Sequence, residues 1–238
     1  MATFRGRVTC DTLTLRHFWA YCLRVTIAPA PPRIGRAQIG RTPTGPGVEV
    51  RAIEAFLTCV ARVGFSKTTV DDVAREARCS RATLYRYFEG KDGLLAEVVA
   101  SEVARLSGAL SAAAADQTDL ESSVIAVVTT AARELRGHEA LQFVIANEPE
   151  LVLGHISFAG GDEFLAVASR IVGPCIAPHL AAGVTPSDVS RAGEWIARVT
   201  LALLCSPDAP VDLTDEPATR AYFRQFVVPA LGGLGHDE

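Results

Sequence analysis

From Val48 onward the apolar residues of this 238-residue chain recur at intervals of three and four, and no run alternates at period two. That rhythm constrains the fold more than any other feature. An α-helix turns once in 3.6 residues and keeps one apolar face at this spacing, whereas a half-buried strand needs every second residue apolar. The expectation is an all-α protein. Val48, Ile53, Phe56, Leu57, Val60 and Val63 share one face of a first helix, which Gly64 stops. Thr69 is placed to cap a second helix, with Asp72 at the third position completing a capping box, and Val70, Val73, Ala74 and Ala77 form its inner stripe. Arg78, Cys79 and Ser80 make a turn; Ser80 caps a third short helix over 81–87 that buries Leu84. A fourth starts near Lys91 and runs to the alanine tract before Asp116.

The rest reads as helix too, over 119–136, 139–147 and 161–182, with Pro174 and Pro178 expected to kink or interrupt the last of these. Thr185, Pro186 and Asp188 start a helix that runs to about 204, and a final one is expected over roughly 216–230. Apolar residues make up 49% of the chain, enough for a real core. No uninterrupted apolar run of about 18 residues suggests a membrane span. The six cysteines are scattered with no C-x-x-C pair, which fits idle or buried thiols in a reducing cytoplasm. Neither a G-x-G-x-x-G nor a G-K-[ST] phosphate loop is present, the histidines lack paired ligand spacing, and no cofactor or metal is expected.

Charge divides the chain. Residues 1–47 carry seven arginines against Asp11, and residues 48–91 carry eight basic side chains against six acidic ones, although the whole chain stands at −4. The acidic excess therefore lies beyond residue 91, and a polyanionic partner belongs to the first part. Three regions follow: a Pro-, Gly- and Arg-rich flexible extension over 1–47, a small helical domain over 48–93, and a larger acidic helical body over 94–238. The extension is a misplaced start codon's product or an untidy tail, or else an added arm whose arginines meet the polyanion.

Two short helices joined by a tight turn, the second displaying polar side chains, form a helix-turn-helix arrangement whose second helix fits the major groove of B-DNA, about 12 Å wide. Leu84 and Phe88, four apart, point inward, which turns Arg81, Thr83, Arg86 and Tyr87 outward. Arginine can bond guanine O6 and N7 with two donors, threonine can meet a base edge or thymine methyl, and tyrosine hydroxyls suit phosphates. Lys91 and nearby helix-start amides would hold a phosphate. The alternatives are that the tyrosines pack the domain, and that Arg81 or Arg86 is solvated or pairs with Glu89.

The stretch TTVDDVAREARCSRATLYRYFEGKDGLL, residues 68–95, resembles the DNA-binding segment of the tetracycline-repressor (TetR) family of bacterial one-component regulators. The resemblance covers about 48–95. It implies a homodimer on a double-stranded, pseudo-palindromic DNA operator, a recognition helix at 80–87, and a divergent body that binds a small apolar effector. It assigns phosphate contact to Thr69 and groove contacts to Ser80, Arg81, Thr83, Tyr85 and Tyr87, with Lys91 opening the fourth helix. Ala82 stands where many members have glycine. By the same resemblance the last two helices pair protomers through residues such as Trp195, Ile196, Val199, Leu203, Phe223, Phe226 and Val227, unless these close the core of one protomer. Phe143, Asn147, His155, Phe158, Phe164 and Trp195 are candidates to line an effector cavity, or else ordinary core and helix-end residues. Rival functions are a DNA-binding regulator or activator without a ligand, and a helical enzyme with a DNA-binding appendage. The enzyme reading lacks a nucleophile and base at recognisable spacing, so none is expected.

Overall fold

Capping side chains set most of the helix starts in the computed structural model, which describes residues 47–151, 161–206 and 208–234, with the side chains of 161–164 left aside. The elements are α1 Val48–Val63, α2 Val70–Glu76, α3 Arg81–Tyr87, α4 Gly90–Ala115, α5 Leu120–Gly137, α6 Glu139–Asn147, α7 Gly161–Ile176, a 3-10 turn Ala177–His179, α8 Pro186–Cys205, α9 Glu216–Phe226 and α10 Val228–Gly232. No strand occurs among the described residues. The extension expected over 1–47 lies, apart from Gly47, outside them.

The capping box expected at α2 closes, and a second one forms at the helix start expected at Thr185. Thr69 accepts from the Asp72 amide while Asp72 accepts from the Thr69 amide, and Thr185 and Asp188 repeat the arrangement at α8. Prolines account for the departures. The helix expected over 161–182 passes through Pro174 but ends at Ile176, and Pro178 sits in the 3-10 turn. The helix expected over 216–230 divides at Val227, because Pro229 in the first turn of α10 has no N–H to give and its ring opposes the carbonyl four residues back. In α1 the innermost line is built from Ala52, Ala55, Phe56, Cys59 and Val60; Val63, expected inside, is exposed.

Two apolar cores result. One joins α1, α2 and α3 with Leu94 and Val98 of α4 and Ala140 of α6. The other gathers Leu110 and Ala114 of α4 with α5, α7, α8, α9 and α10. Helix α4 serves both, so the two cores share one rigid rod. By length and alanine-rich composition α4 would suit a membrane span, but it packs against α5, α7 and α1, and its Arg105 pairs with Glu102 and with Glu134 of α5. Helices α7 and α8 meet backbone to backbone: a Cβ on Gly193 would stand 2.7 Å from the Ser169 carbonyl oxygen. Glu121 in the first turn of α5 binds Arg220 at 3.1 Å and Arg224 at 2.6 Å, which fastens α9 to α5.

The residues expected to pair protomers divide into two groups. Ile196, Leu203, Phe223 and Val227 are buried within one protomer and close its own core, a correction that follows from their place in the larger apolar cluster. Trp195 and Phe226 face outward, 47% and 57% exposed, and Val199 is half-buried.

Candidate nucleic-acid interface

The surface around α3 is assembled from two caps, a strained turn and two buried anchors. The Thr69 hydroxyl lies 2.5 Å from Asp72 Oδ2, so the side chain that caps α2 is held by its own box. Hydrogen bonds from Thr69 hold the Asp72 carboxyl below its ordinary range, with Arg75 adding to the effect. At the end of α2 the chain reverses through Arg78, whose φ of +52° lies in the left-handed region, and the Cys79 amide closes the turn on the Ala74 carbonyl at 2.9 Å. A non-glycine residue pays roughly 1 kcal/mol for that conformation. Ser80 then caps α3, accepting from the Thr83 amide at 3.0 Å, with its hydroxyl 2.8 Å from that of Thr83.

Leu84, 2% exposed, and Phe88 clamp one side of α3 to the smaller core. The opposite side is open. Arg81, Ala82, Tyr85, Arg86 and Tyr87 are exposed and Thr83 is half-buried. Tyr85 and Tyr87, at 50% and 40%, are not core residues. Arg81 does not pair with Glu89: its Nη1 lies 3.2 Å from Asp71 Oδ2 on α2, and its guanidinium carbon is 5.8 Å from the centre of the Tyr85 ring. Arg86 stands 5.3 Å from the Tyr87 ring centre. Seven residues of α3 rise about 10 Å, within the span of a major groove.

Lys91 is placed otherwise than as a free phosphate anchor. Its ammonium donates to the Phe65 carbonyl at 2.7 Å and lies 4.2 Å from the Phe65 ring centre. Burial pushes its pKa down, against the opposing effect of Glu148 and Asp92. The same loop is held from its other side by α6. Glu148, just past the end of α6, accepts from the Phe65 amide at 2.7 Å and the Ser66 amide at 2.9 Å. Burial works to raise its pKa, but these hydrogen bonds and the Lys91 charge hold the carboxyl below its usual range. Gly64, at φ +88°, lets the loop approach closely: a Cβ there would meet the Phe143 ring at 3.0 Å and the Glu148 carboxylate at 3.1 Å. The α1–α2 loop is thus pinched between α4 and α6. Sequence reasoning missed this contact, since nothing local marks Glu148 as a partner of residues more than eighty positions earlier.

Among the described residues, the effector-cavity candidates Phe143 and Asn147 on α6 and Trp195 on α8 line no common cavity. Phe143 and Asn147 lie at this pinch, with Asn147 exposed and donating to the Phe143 carbonyl at 2.9 Å, while Trp195 lies exposed on α8. His155, Phe158 and the side chain of Phe164 lie outside the described residues. A cleft of about 440 Å³ opens instead between α1, α4, α5 and α6, lined by Leu57, Ala61, Glu102, Arg105, Arg133, His138 and their neighbours. His138 Nε2 is 3.3 Å from Glu102 there, while its Nδ1 accepts from the Leu141 amide and caps α6. A second hollow, of about 330 Å³, lies between α7 and α8. Among the described residues no three metal-binding side chains cluster.

The model of a family described as bacterial regulatory proteins, tetR family, matches residues 52–98. An uncharacterised HTH-type transcriptional regulator of Mycobacterium tuberculosis is 29% identical over 162 residues, 68% of this chain and 74% of its own. Among solved structures the fold is similar to the TetR family repressor AlkX from Dietzia, implicated in biodegradation of n-alkanes, with TM-score 0.58 and 18% identity over 78% of this chain and 96% of that one. It is also similar to the transcriptional regulator FadR from Bacillus subtilis in complex with stearoyl-CoA, with TM-score 0.51 and 16% identity over 73% and 96%.

Proposed function

We propose that this chain, whose residues 52–98 match the model of the tetR family of bacterial regulatory proteins, is a DNA-binding transcriptional regulator of that kind, that it represses transcription as a homodimer on a pseudo-palindromic operator, and that it is released by a small apolar effector. One observation carries the DNA-reading part: a helix clamped inside by Leu84 and Phe88 that presents Arg81, Tyr85, Arg86 and Tyr87 to solvent on its other side. In this reading Arg81 and Thr83 read base edges, while Tyr85, Arg86, Tyr87, Ser80 and Thr69 bind the sugar-phosphate backbone. Lys91 acts mainly by fixing the Phe65 loop, and a phosphate reaches its ammonium only alongside that bond.

Two recognition helices separated by one turn of DNA, roughly 34–36 Å, require two protomers. Trp195 and Phe226 are the outward aromatic side chains on α8 and α9 available for that pairing. Coupling runs through the pinch. An effector that favours a different setting of α6 relative to α4 moves the loop held by Glu148 and Lys91, and with it the spacing of the two α3 helices. A tenfold change in occupancy needs only about 1.4 kcal/mol of differential affinity between the two settings.

The test is a titration of purified protein on inverted repeats taken from the DNA flanking its own gene, followed by long-chain acyl-CoA, the kind of ligand that FadR holds, and shorter apolar compounds. A repeat bound in preference to competitor and released by one compound supports the reading. A compound that binds the body and leaves operator affinity unchanged defeats the effector half while leaving DNA binding in place.

A further inference from the structure

Asp71 and Asp72 are neighbours in the first turn of α2, but they are committed differently. Asp72 belongs to the capping box and to Arg75. Asp71 instead reaches across to the adjoining helix, where its Oδ2 lies 3.2 Å from Arg81 Nη1. Both side chains are more than half exposed, so the pair lies on the open surface rather than in the core. The Tyr85 ring flanks the same guanidinium at 5.8 Å. A carboxylate beside a DNA-binding surface opposes binding to every phosphate it faces, so its presence there needs a compensating role.

We propose that Asp71 is a specificity-determining positioning residue, which aims Arg81 at a base edge and disfavours its use as a general phosphate contact. The proposal rests on the reading of α3 as the helix that enters the groove. Arginine has five N–H donors, so a guanidinium held by one edge keeps donors free for guanine O6 and N7. Holding it in place removes rotamers that would otherwise be lost on binding. The negative charge lowers affinity for all sequences alike, whereas the aimed guanidinium repays the loss only at a matching base pair. Discrimination rises because background binding falls.

The experiment uses the full chain, the duplex most enriched when the protein selects from a random-sequence library, and a scrambled duplex of the same length. Asp71→Asn, Arg81→Ala and the double variant are compared by fluorescence anisotropy across a salt series. Asp71→Asn is expected to bind the scrambled duplex about three- to tenfold more tightly, with a log–log salt slope steeper by up to about 0.9. It should gain much less on the selected duplex, and its loss of base preference should fall at the position that Arg81→Ala also relaxes. On the Arg81→Ala background Asp71→Asn should leave base preference unchanged. An unchanged ratio in Asp71→Asn overturns the proposal. So does a change of base preference on the Arg81→Ala background, since Asp71 would then touch a base itself. If Arg81→Ala alone leaves base preference intact, the assignment of Arg81 beneath the proposal fails instead.

Discussion

Single side chains on α3 divide into those that hold the helix and those that face outward, and the division was legible because Leu84 and Phe88 are four apart on a helix that Ser80 caps. Arg81→Ala or Thr83→Ala is expected to cost about 1–3 kcal/mol on the preferred duplex and to relax its sequence preference, measured by competition against single-base variants. Equal losses on preferred and random DNA would count against base reading. What the sequence did not show was the partner of Arg81: Glu89 was the near candidate along the chain, but a helix-turn-helix brings Asp71 of the preceding helix closer. Gly64 is a second case. As a helix stop it was evident, yet its closeness to Phe143 and Glu148 depends on a packing that no local pattern encodes. Gly64→Ala forces a Cβ into left-handed backbone and into that contact, so stability is expected to fall by about 1–3 kcal/mol in denaturant titration. A loss under 0.5 kcal/mol would mean the loop is free to move away.

Helices were recovered where caps and prolines mark them, including the interruption expected from Pro174 and Pro178, which falls at Ile176, and less well at Val227, where the break before Pro229 was not foreseen. Contacts between elements were out of reach of periodicity, and the pinch of the α1–α2 loop between α4 and α6 is the main example. Glu148→Gln replaces one of two acceptor oxygens by an amide group facing two N–H donors, and is expected to destabilise the protein by about 1–3 kcal/mol. The sign of the pH dependence follows from the lowered carboxyl. A carboxyl lowered by folding stabilises above its unfolded value, about 4.3, and that contribution disappears as pH falls through the lower folded value. The stability difference between wild type and Glu148→Gln should therefore stay level from about pH 8 to pH 5 and shrink below about pH 4. If instead it varied across neutral pH, Glu148 would not be the ionised partner of the loop. In the operator assay the same variant should still bind DNA while responding less to effector.

At the scale of the whole molecule, the all-α architecture was evident from Val48 onward. Which apolar residues of α8 and α9 face outward was only half evident, because buried and exposed ones look alike in sequence. Ile196 and Phe223 belong to the protomer's own core, whereas Trp195 and Phe226 face outward. Trp195→Glu together with Phe226→Glu is expected to leave a folded monomer by light scattering and to weaken operator binding at least tenfold, since two half-sites one turn apart need two linked helices. A variant that remained dimeric would place the interface elsewhere. The central claim is that α3 of such a dimer reads sequence in the major groove. Its most direct test is to let the purified protein select from random duplexes at about 0.1 M salt and to sequence what it retains. The expected result is an inverted repeat with half-site centres roughly 10 base pairs apart, lost in Arg81→Ala. Retention of duplexes in the proportions supplied would contradict it.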